Sequence, residues 1–544
     1  MSGYVSRILG TAVSGLNAQQ AKIAAAANNI SNVNTEGYVR RDVELTVREG
    51  FSIAGGVNVG CGVDVSSLIR QTNEYLEKLL REANGDFQSS NIQDEYLDRV
   101  ESLFALTDKS TLTIGSALTD FFSAAGDLAV NPMNTELRAN FIAKTENLCF
   151  ALQNTYNTLA SLQTEADERI VTEIETVNSI NAQIADLNAK IVGIEAAGGV
   201  AADARDQRSA LLEKLSEKMS FNVVERGDGS INITLSNGFS IVAGDDFYKL
   251  TTVTDVGPGQ EPRSLNGGSL NYIVYDYSNG AGTEVVNLTD IISRGTGSLG
   301  GLLRVRGSYA IEDNSVDSAF NGKGLLVDYA SRVEAITRSL LIDINNKYRA
   351  LNGVGVSTAG DLDGNSPDVF GLFTFKNAFD DGNGVVTEGD LEDSMTAANY
   401  TNLSSIISIA FSDPSRVAAA LADDPNAAVM TFSKGNGANM ESLVKEQLTV
   451  RNFTLGNFVL SNATYGASYD ELVSKVGNAK STSLINTSVA RGNLTAAQSQ
   501  RDQQSAVSLD EEFVSLIKYQ RAYQASARLL TISDELLQEV LRTI

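Results

Sequence analysis

Apolar residues recur every seventh position at both ends of the chain. Near the N-terminus Leu9, Leu16, Ile23 and Ile30 form one column. Val5, Ala12, Ala26 and Val33 form a companion column, interrupted by Gln19. This spacing predicts a helix of about 25 residues with a seam along one side. Alanines beside the seam allow a partner to approach closely. The last segment repeats the pattern with Leu509, Leu516, Tyr523, Leu530, Leu537 and Ile544. Phe513, Ala527 and Leu541 accompany that column, and Gln520 and Asp534 interrupt the second row. Ser508 ahead of Leu509, with Glu511 and Glu512 in the first turn, makes a sound helix start.

The first helical pattern runs into the polar stretch NNISNVNTEGYVR at 28–40, and the strand-like DVELTV follows. Gly37 suits a positive φ, and asparagines satisfy local backbone groups or occupy the left-handed region. The stretch is therefore expected to stop the helix sharply and turn the chain outward.

Further helical patterns follow over about Leu68–Phe104 and, after Asn131-Pro132, up to Gly198-Gly199. In the second, Val177, Ile184 and Ile191 interleave with Ile180, Leu187 and Ile194. A helix of about 60 residues spans about 90 Å, which predicts a rod-like helical domain. A polar helix at about 466–506 is expected to return alongside it. Between these lies a strand-forming region. Ile231, Ile233 and Leu235 alternate, with the hairpin pairs Asp228-Gly229 and Asn237-Gly238 around them. A second strand pair, NYIVYDY and TEVVNL, flanks Asn279-Gly280. A helix from about Leu326 to Leu351 comes next.

Composition narrows the chemistry. The chain has 544 residues, enough for three or four domains. Its net charge of −25 argues against nucleic acid or an anionic membrane as the main partner. No run is apolar enough to span a membrane. The N-terminus is a poor secretory signal, with Arg7 as its sole early cation, and the A-x-A at Ala24–Ala26 reads as helix. Cys61 and Cys149 show no sign of pairing. The absence of histidine excludes Ser-His-Asp triads, Cys-His dyads and HExxH metal sites. Asp361, Asp363 and Asn365 have calcium-loop spacing, but Ser366 and Leu372 stand where Gly and Glu belong, so a solvated turn is the expectation. Asp380, Asp381 and Asn383 fail similarly. No cofactor and no metal are expected, and neither is catalysis.

Between Met1 and Val39 the charged residues are Arg7, Lys22 and Glu36 alone. A solvated helix normally carries a charged outer face. Ordering roughly sixty residues costs about 1–2 kcal/mol each, so a single seam leaves the end helices marginal until other copies cover their remaining faces.

Two stretches carry a family resemblance. ANNISNVNTEGYVR (Ala27–Arg40) resembles the N-terminal signature of bacterial flagellar rod, hook and hook-associated proteins. SLDEEFVSLIKYQRAYQASARLLTISDELLQEVL (Ser508–Leu541) resembles their C-terminal segment, and within that group is most similar to the FlgK family. Asp206-Gln207-Arg208 and GSLGGLLRVRG (Gly297–Gly307) resemble segments on either side of that family's β-rich domain. Tyr348 stands where the family carries a histidine, and the variable outer part is short here.

The resemblance implies a structural junction protein between flagellar hook and filament. The implied fold is α+β multidomain, with paired terminal coiled-coil helices, a long-helix rod-like domain and small antiparallel β-rich outer domains. The expected division is 1–45 plus 505–544 for terminal assembly, 46–220 plus 310–370 and 436–504 for long helices, 221–309 for β structure and 371–435 for a short variable segment. The assembly interface is assigned to the columns Leu9, Leu16, Ile23 and Ile30 and to Asn28, Asn29, Asn34, Thr35, Gly37 and Tyr38 of the turn. In the last segment it takes Leu509, Phe513, Leu516, Tyr519, Gln520, Tyr523, Leu530, Leu537 and Leu541. Implied partners are other copies of the chain, the hook protein, a second junction protein on the filament side and a cytosolic export chaperone at the C-terminal segment. Implied placement is extracellular, on the flagellum, after type III export without a cleaved signal. A hook or rod subunit is the nearest alternative; a secreted enzyme or adhesin using these ends for export is the more distant one.

Overall fold

The computed structural model describes residues 2–35, 37–53, 57–104, 112–254, 264–276, 285–307, 324–352, 355–368, 370–375, 378, 385–398, 402–427, 429–456 and 458–542. In chain order, α1 (Ser2–Ser31) leads to β1 (Arg41–Val47), β2 (Phe51–Ile53), β3 (Val57–Val59) and β4 (Val63–Arg70). Four helices follow: α2 (Glu74–Phe104), α3 (Ile114–Val130), α4 (Thr135–Ala196) and α5 (Ala202–Lys218). Then come β5 (Asn222–Glu225), β6 (Ile231–Thr234), β7 (Ser240–Ala243), β8 (Asp246–Phe247), β9 (Leu250–Val253), β10 (Tyr272–Asp276) and β11 (Val285–Asn287). The helices α6 (Thr289–Arg294), α7 (Gly297–Arg306), α8 (Leu325–Ser339) and α9 (Asn345–Arg349) come next, with a π turn at Leu340–Ile344 joining the last two. Short pieces follow: β12 (Ala359–Gly360), β13 (Phe373–Thr374), α10 (Glu388–Ala398), β14 (Ser408–Ile409), β15 (Ala420–Leu421) and α11 (Ala438–Lys445). The hairpin β16 (Arg451–Leu455) and β17 (Phe458–Ala463) precedes the two last helices, α12 (Tyr465–Ser505) and α13 (Leu509–Arg542).

The chain divides into two compact units, Met1–Phe87 with Thr176–Lys249 and Val489–Ile544, and Gln88–Glu175 with Leu250–Ser488. In the first unit α1 packs along α13 and against β1 and β4. β1 and β4 pair antiparallel from Arg41↔Arg70 to Val47↔Val63, with a bulge between Glu44 and Leu45. That pairing corrects the expected start of the second helix. Leu68–Arg70 is strand because β1 supplies its backbone partners, and the helix starts at Glu74 after Asn73, whose Oδ1 accepts from the Tyr75 amide at 3.0 Å.

β5 to β8 form a meander in sequence order, with Gly229 and Gly238 at φ +84° and +89° in the turns foreseen for Asp-Gly and Asn-Gly. Ile231, Ile233, Leu235, Ile241 and Val242 are buried there. Asn188 of α4 ties helix to sheet. Its Nδ2 donates to the carbonyls of Ile231 (3.0 Å) and Gly244 (2.6 Å), and its Oδ1 accepts from Arg208 Nη1 (2.9 Å). α4 stops where expected, with Gly198 at φ +80°.

The second unit is built around α3, with a capping box between Thr113 and Ser116, and an aromatic cluster of Phe121, Phe122, Phe141 and Phe373. β9, β10 and β11 form a separate sheet here, so the stretch 221–309 holds two sheets rather than one continuous β body. GSLGGLLRVRG is helix α7. A Cβ on Gly301 would stand 2.9 Å from the Ser89 carbonyl oxygen, so glycine permits that close packing. Glu334 is wholly buried, accepting from the Leu403 amide (2.7 Å), the Ser404 amide (2.8 Å) and the Ser404 hydroxyl (2.7 Å). Tyr348 is buried too, and its hydroxyl accepts from the Ala418 amide at 2.7 Å.

Asp361, the first residue of the calcium-like spacing, uses its carboxylate as a turn cap, accepting from the Asp363 and Asn365 amides, each at 2.8 Å. Asp380, Asp381 and Asn383 lie outside the described residues. Among the described residues no group of three or more His, Cys, Asp or Glu could hold a metal ion. Nor is any helix there long and apolar enough to cross a membrane. Cys61 and Cys149 are both free thiols.

Candidate assembly surface

The turn after α1 is built around Asn29, which is almost completely buried. Its Nδ2 donates to the Arg41 carbonyl (2.9 Å), while its Oδ1 accepts from the Arg41 amide (3.1 Å) and the Tyr38 hydroxyl (2.9 Å). Asn28 is exposed and takes two bonds from Asn32 Nδ2, at 3.0 Å to its carbonyl and 2.6 Å to its side chain. Thr35 Oγ1 donates to Asn32 Oδ1 at 3.2 Å, and Asn34 points to solvent. Gly37 has φ +75°, and a Cβ there would also meet Ala210 of α5 at 3.1 Å. Glycine is thus favoured by the positive φ, and the tight space beside Ala210 adds to the preference.

Two consecutive arginines carry the turn onto its neighbours. Arg40 reaches the start of α13, with Nε 2.7 Å from Glu512 Oε1 and Nη1 3.2 Å from Glu511 Oε2, and its amide donates to the Ser505 carbonyl at 2.9 Å. Arg41 stacks on the Tyr38 ring at 4.7 Å and binds Asp203 (2.6 Å) and Asp206 (2.7 Å) of α5. Burial pushes the Tyr38 hydroxyl up. Asp206 also holds Arg70 of β4 at 2.7 Å, so one buried carboxylate ties β1, β4 and α5 together.

The helix pair departs from the expected seam. Among the described side chains of α1, Ala12, Ser14, Ala18, Ala26 and the turn residue Asn29 are buried, Ser14 towards β4 where its hydroxyl accepts from the Val63 amide at 3.3 Å, whereas Leu9, Leu16, Ile23 and Ile30 are half-buried. A Cβ on Gly15 would stand 3.1 Å from Ser526 Oγ of α13. Gly15 lets the two backbones approach there, and the large residues of the first column stay half-buried. On α13, Leu516, Tyr519, Leu530 and Leu537 are half-buried, and Lys22 Nζ lies 5.4 Å over the Tyr519 ring. Leu509, Phe513, Gln520 and Tyr523 are exposed. The side chain of Leu541 lies outside the described residues.

A second apolar stripe on α13 escaped the sequence reading. Val514, Ile517, Leu529, Ile532 and Leu536 are 47–68% exposed. They recur at helical spacing, interrupted by Lys518, Arg521 and Arg528, which are also exposed. The stripe follows the helical period of 3.6, whereas the column of sevens lies on the opposite face. With Leu509, Phe513 and Tyr523, the residues of the stripe leave eight large apolar side chains of α13 open to solvent, a concentration typical of interaction surfaces.

Three stretches match families of flagellar proteins. Residues 97–358 match the flagellar hook-associated protein FlgK helical domain. Residues 498–543 match the C-terminal part of the flagellar basal body rod FlgEFG proteins, and residues 9–38 match the flagella basal body rod proteins. Flagellar hook-associated protein 1 of Escherichia coli is 26% identical over 97% of this chain and 98% of its own. Its namesakes in Salmonella typhimurium and Bacillus subtilis are each 26% identical as well, over 99% and 98% of this chain and 100% and 97% of theirs. The structure of the flagellar hook junction protein FlgK from Burkholderia pseudomallei superposes with a TM-score of 0.58 at 15% identity, covering 79% of this chain and 100% of that one, a likeness of fold. With a FlgK helical domain at its centre, rod-type segments at its two ends and relatives matched over nearly its full length, the chain is similar throughout to the flagellar hook-associated proteins of the FlgK family.

Proposed function

We infer that this chain is a structural protein of the bacterial flagellum, standing at the junction between hook and filament. The observation that carries the reading is the pairing of the two chain ends, α1 against α13, with the stripe Val514, Ile517, Leu529, Ile532 and Leu536 left open. Copies would pack side by side through these ends into a ring or short helical stack, burying the open stripes against one another. Residues 1–45 and 505–544 would act as the assembly domain. The asparagine turn, with Asn28, Asn29, Asn34, Thr35, Gly37 and Tyr38, would hold α1 at its angle to the strands that follow.

The hook protein on one side and a second junction protein on the other are the expected neighbours. A cytosolic chaperone would cover α13 before type III export to the outside, since free copies would otherwise expose this stripe. A hook or rod subunit shares the ends but not the match at 97–358 to the FlgK helical domain, which favours the junction reading.

The test is an Ile532→Asp variant expressed in place of the normal chain. It should fold and be exported, yet leave hook tips without this protein when tips are imaged with a labelled copy. Tips decorated as in the unmodified strain would refute the assignment.

A further inference from the structure

The open side of α13 carries charges as well as its apolar stripe, and they fall in blocks. Asp510 and Glu511 stand at its start, Lys518, Arg521 and Arg528 in its middle, and Glu535 and Glu539 near its end, all exposed. At about 100° per residue these share the side of the helix that bears Val514, Ile517, Leu529, Ile532 and Leu536. The order along that side is acid, base, acid. Asp534 lies on another side, where Gln538 Nε2 donates to it at 3.0 Å.

The middle block has no counter-charge within the subunit. Lys518, Arg521 and Arg528 make no ion pair with any described residue. The cause is the neighbouring helix: α1 packs along α13, has no acid among its 30 residues and brings Arg7 and Lys22 instead. Of the acids, Glu511 lies 3.2 Å from Arg40, and Asp510 and Glu535 make no ion pair among the described residues.

Placement decides whether two such sides attract. Flush and parallel, each block meets its own kind. Turned antiparallel about the middle, they do so again, base on base at the centre and acid on acid at the ends. A parallel slide of about 18 residues is roughly five helical turns, or about 27 Å, and returns the same side to the contact. It sets Asp510 against Arg528, Val514 against Ile532 and Arg521 against Glu539, and brings Lys518 beside the level of Glu535. No charge then stands directly against its like. This side of α13 is complementary to itself under one displacement, which selects a second copy as its occupant. An acidic partner or an anionic surface would match the middle block and be repelled by both ends.

We propose that neighbouring copies meet through the open sides of α13 in parallel, displaced by about 27 Å along the helix, with Lys518, Arg521 and Arg528 of one copy answering the acids of the next. The charges set a register that an apolar stripe alone leaves free. A displacement repeated in one direction is a head-to-tail contact, which builds a helical row of copies and not a closed pair. The inference rests on the assembly reading above and adds the register to it.

The experiment uses the full chain, expressed in place of the normal one. The first variant reverses the middle block with Lys518→Glu, Arg521→Glu and Arg528→Glu. It should reach the culture medium, which reports export, and decorate hook tips at least about tenfold less than the parent. A second variant adds Asp510→Lys, Glu535→Lys and Glu539→Lys, restoring the alternation with opposite signs, and should regain decoration. Undiminished decoration by the first, or none regained by the second, overturns the proposal. Where the first is not exported, a cysteine pair decides. Val514→Cys with Ile532→Cys, in a Cys61→Ser background and with Cys149 buried, should link copies at the tips under mild oxidation, whereas Val514→Cys alone should not. Links through Val514→Cys alone would place the copies flush and overturn the register, as would no link in the pair. Ile532→Asp leaves every charge in place. Bare tips with that variant and full decoration by the first charge variant would therefore refute the register and spare the assembly reading.

Discussion

Arg40 and Glu512 lie 472 residues apart in the chain and meet in an ion pair of 2.7 Å, Nε to Oε1. Glu512 is almost wholly buried, and it sits in the first turn of α13, where a negative charge also faces the helix dipole. The pair therefore fastens the turn that leaves α1 to the point where α13 begins. Loss of Arg40 would leave a buried carboxylate beside the exposed Glu511 with no counter-ion. We expect Arg40→Ala to loosen the first turns of α13, with a coupling to Glu512→Gln of about 1–3 kcal/mol in a double-mutant cycle. Hydrogen exchange over 509–520 reports it directly; protection equal to that of the parent chain would show that the pair does not fasten the helix.

Asp203 and Asp206 both bind Arg41, but their surroundings separate them. The side chain of Asp203 is 85% exposed and that of Asp206 only 8%, and Asp206 serves Arg70 as well. Asp206→Asn is expected to cost about 3–5 kcal/mol by denaturant unfolding, because two guanidinium groups lose a buried counter-charge. Asp203→Asn is expected to cost about 0–1 kcal/mol. Equal losses would mean that Asp206 is not the tie between β1, β4 and α5.

The two cysteines should react very differently. Cys149 is 4% exposed on α4, and burial pushes its thiol up to about 12, so little thiolate forms near neutral pH. Cys61 is half-buried. A thiol reagent should label the native chain at Cys61 and reach Cys149 only on unfolding. Rapid labelling of both in native buffer would contradict the packing around α4.

Acid should act on the Glu195–Arg205 pair. Hydrogen bonding from Arg205 holds the Glu195 carboxyl below the usual carboxylate range. A depressed carboxylate stabilises the fold above its unfolded value, about 4.3, and that contribution fades as pH falls through its folded value. Glu195→Gln should thus melt below the parent at neutral pH, and the gap should close as pH drops below about 4. A gap unchanged down to pH of about 2 would show that the pair contributes nothing.

The helix limits were legible because their causes are local. Ser508 and the acids after it started α13, and Gly198 stopped α4, within a residue or two of expectation. The Asp-Gly and Asn-Gly turns were equally readable, since the demand for positive φ lies in the residue itself. Leu68–Arg70 was misread for the opposite reason: its partner strand begins at Arg41, and an apolar run does not state whether its backbone bonds lie within it or across to another segment.

The candidate surface shows the same divide. Sequence periodicity alone determined that both chain ends are amphipathic helices and that an asparagine turn closes the first of them. Only the tertiary structure decided which faces meet. It buried the alanines of α1, put Gly15 against Ser526, left Leu9, Leu16, Ile23 and Ile30 half-buried and turned Val514 and Ile532 outward. Periodicity records that a face is apolar, whereas the choice between two apolar faces depends on how closely two backbones can approach, and that is settled by residues hundreds of positions apart.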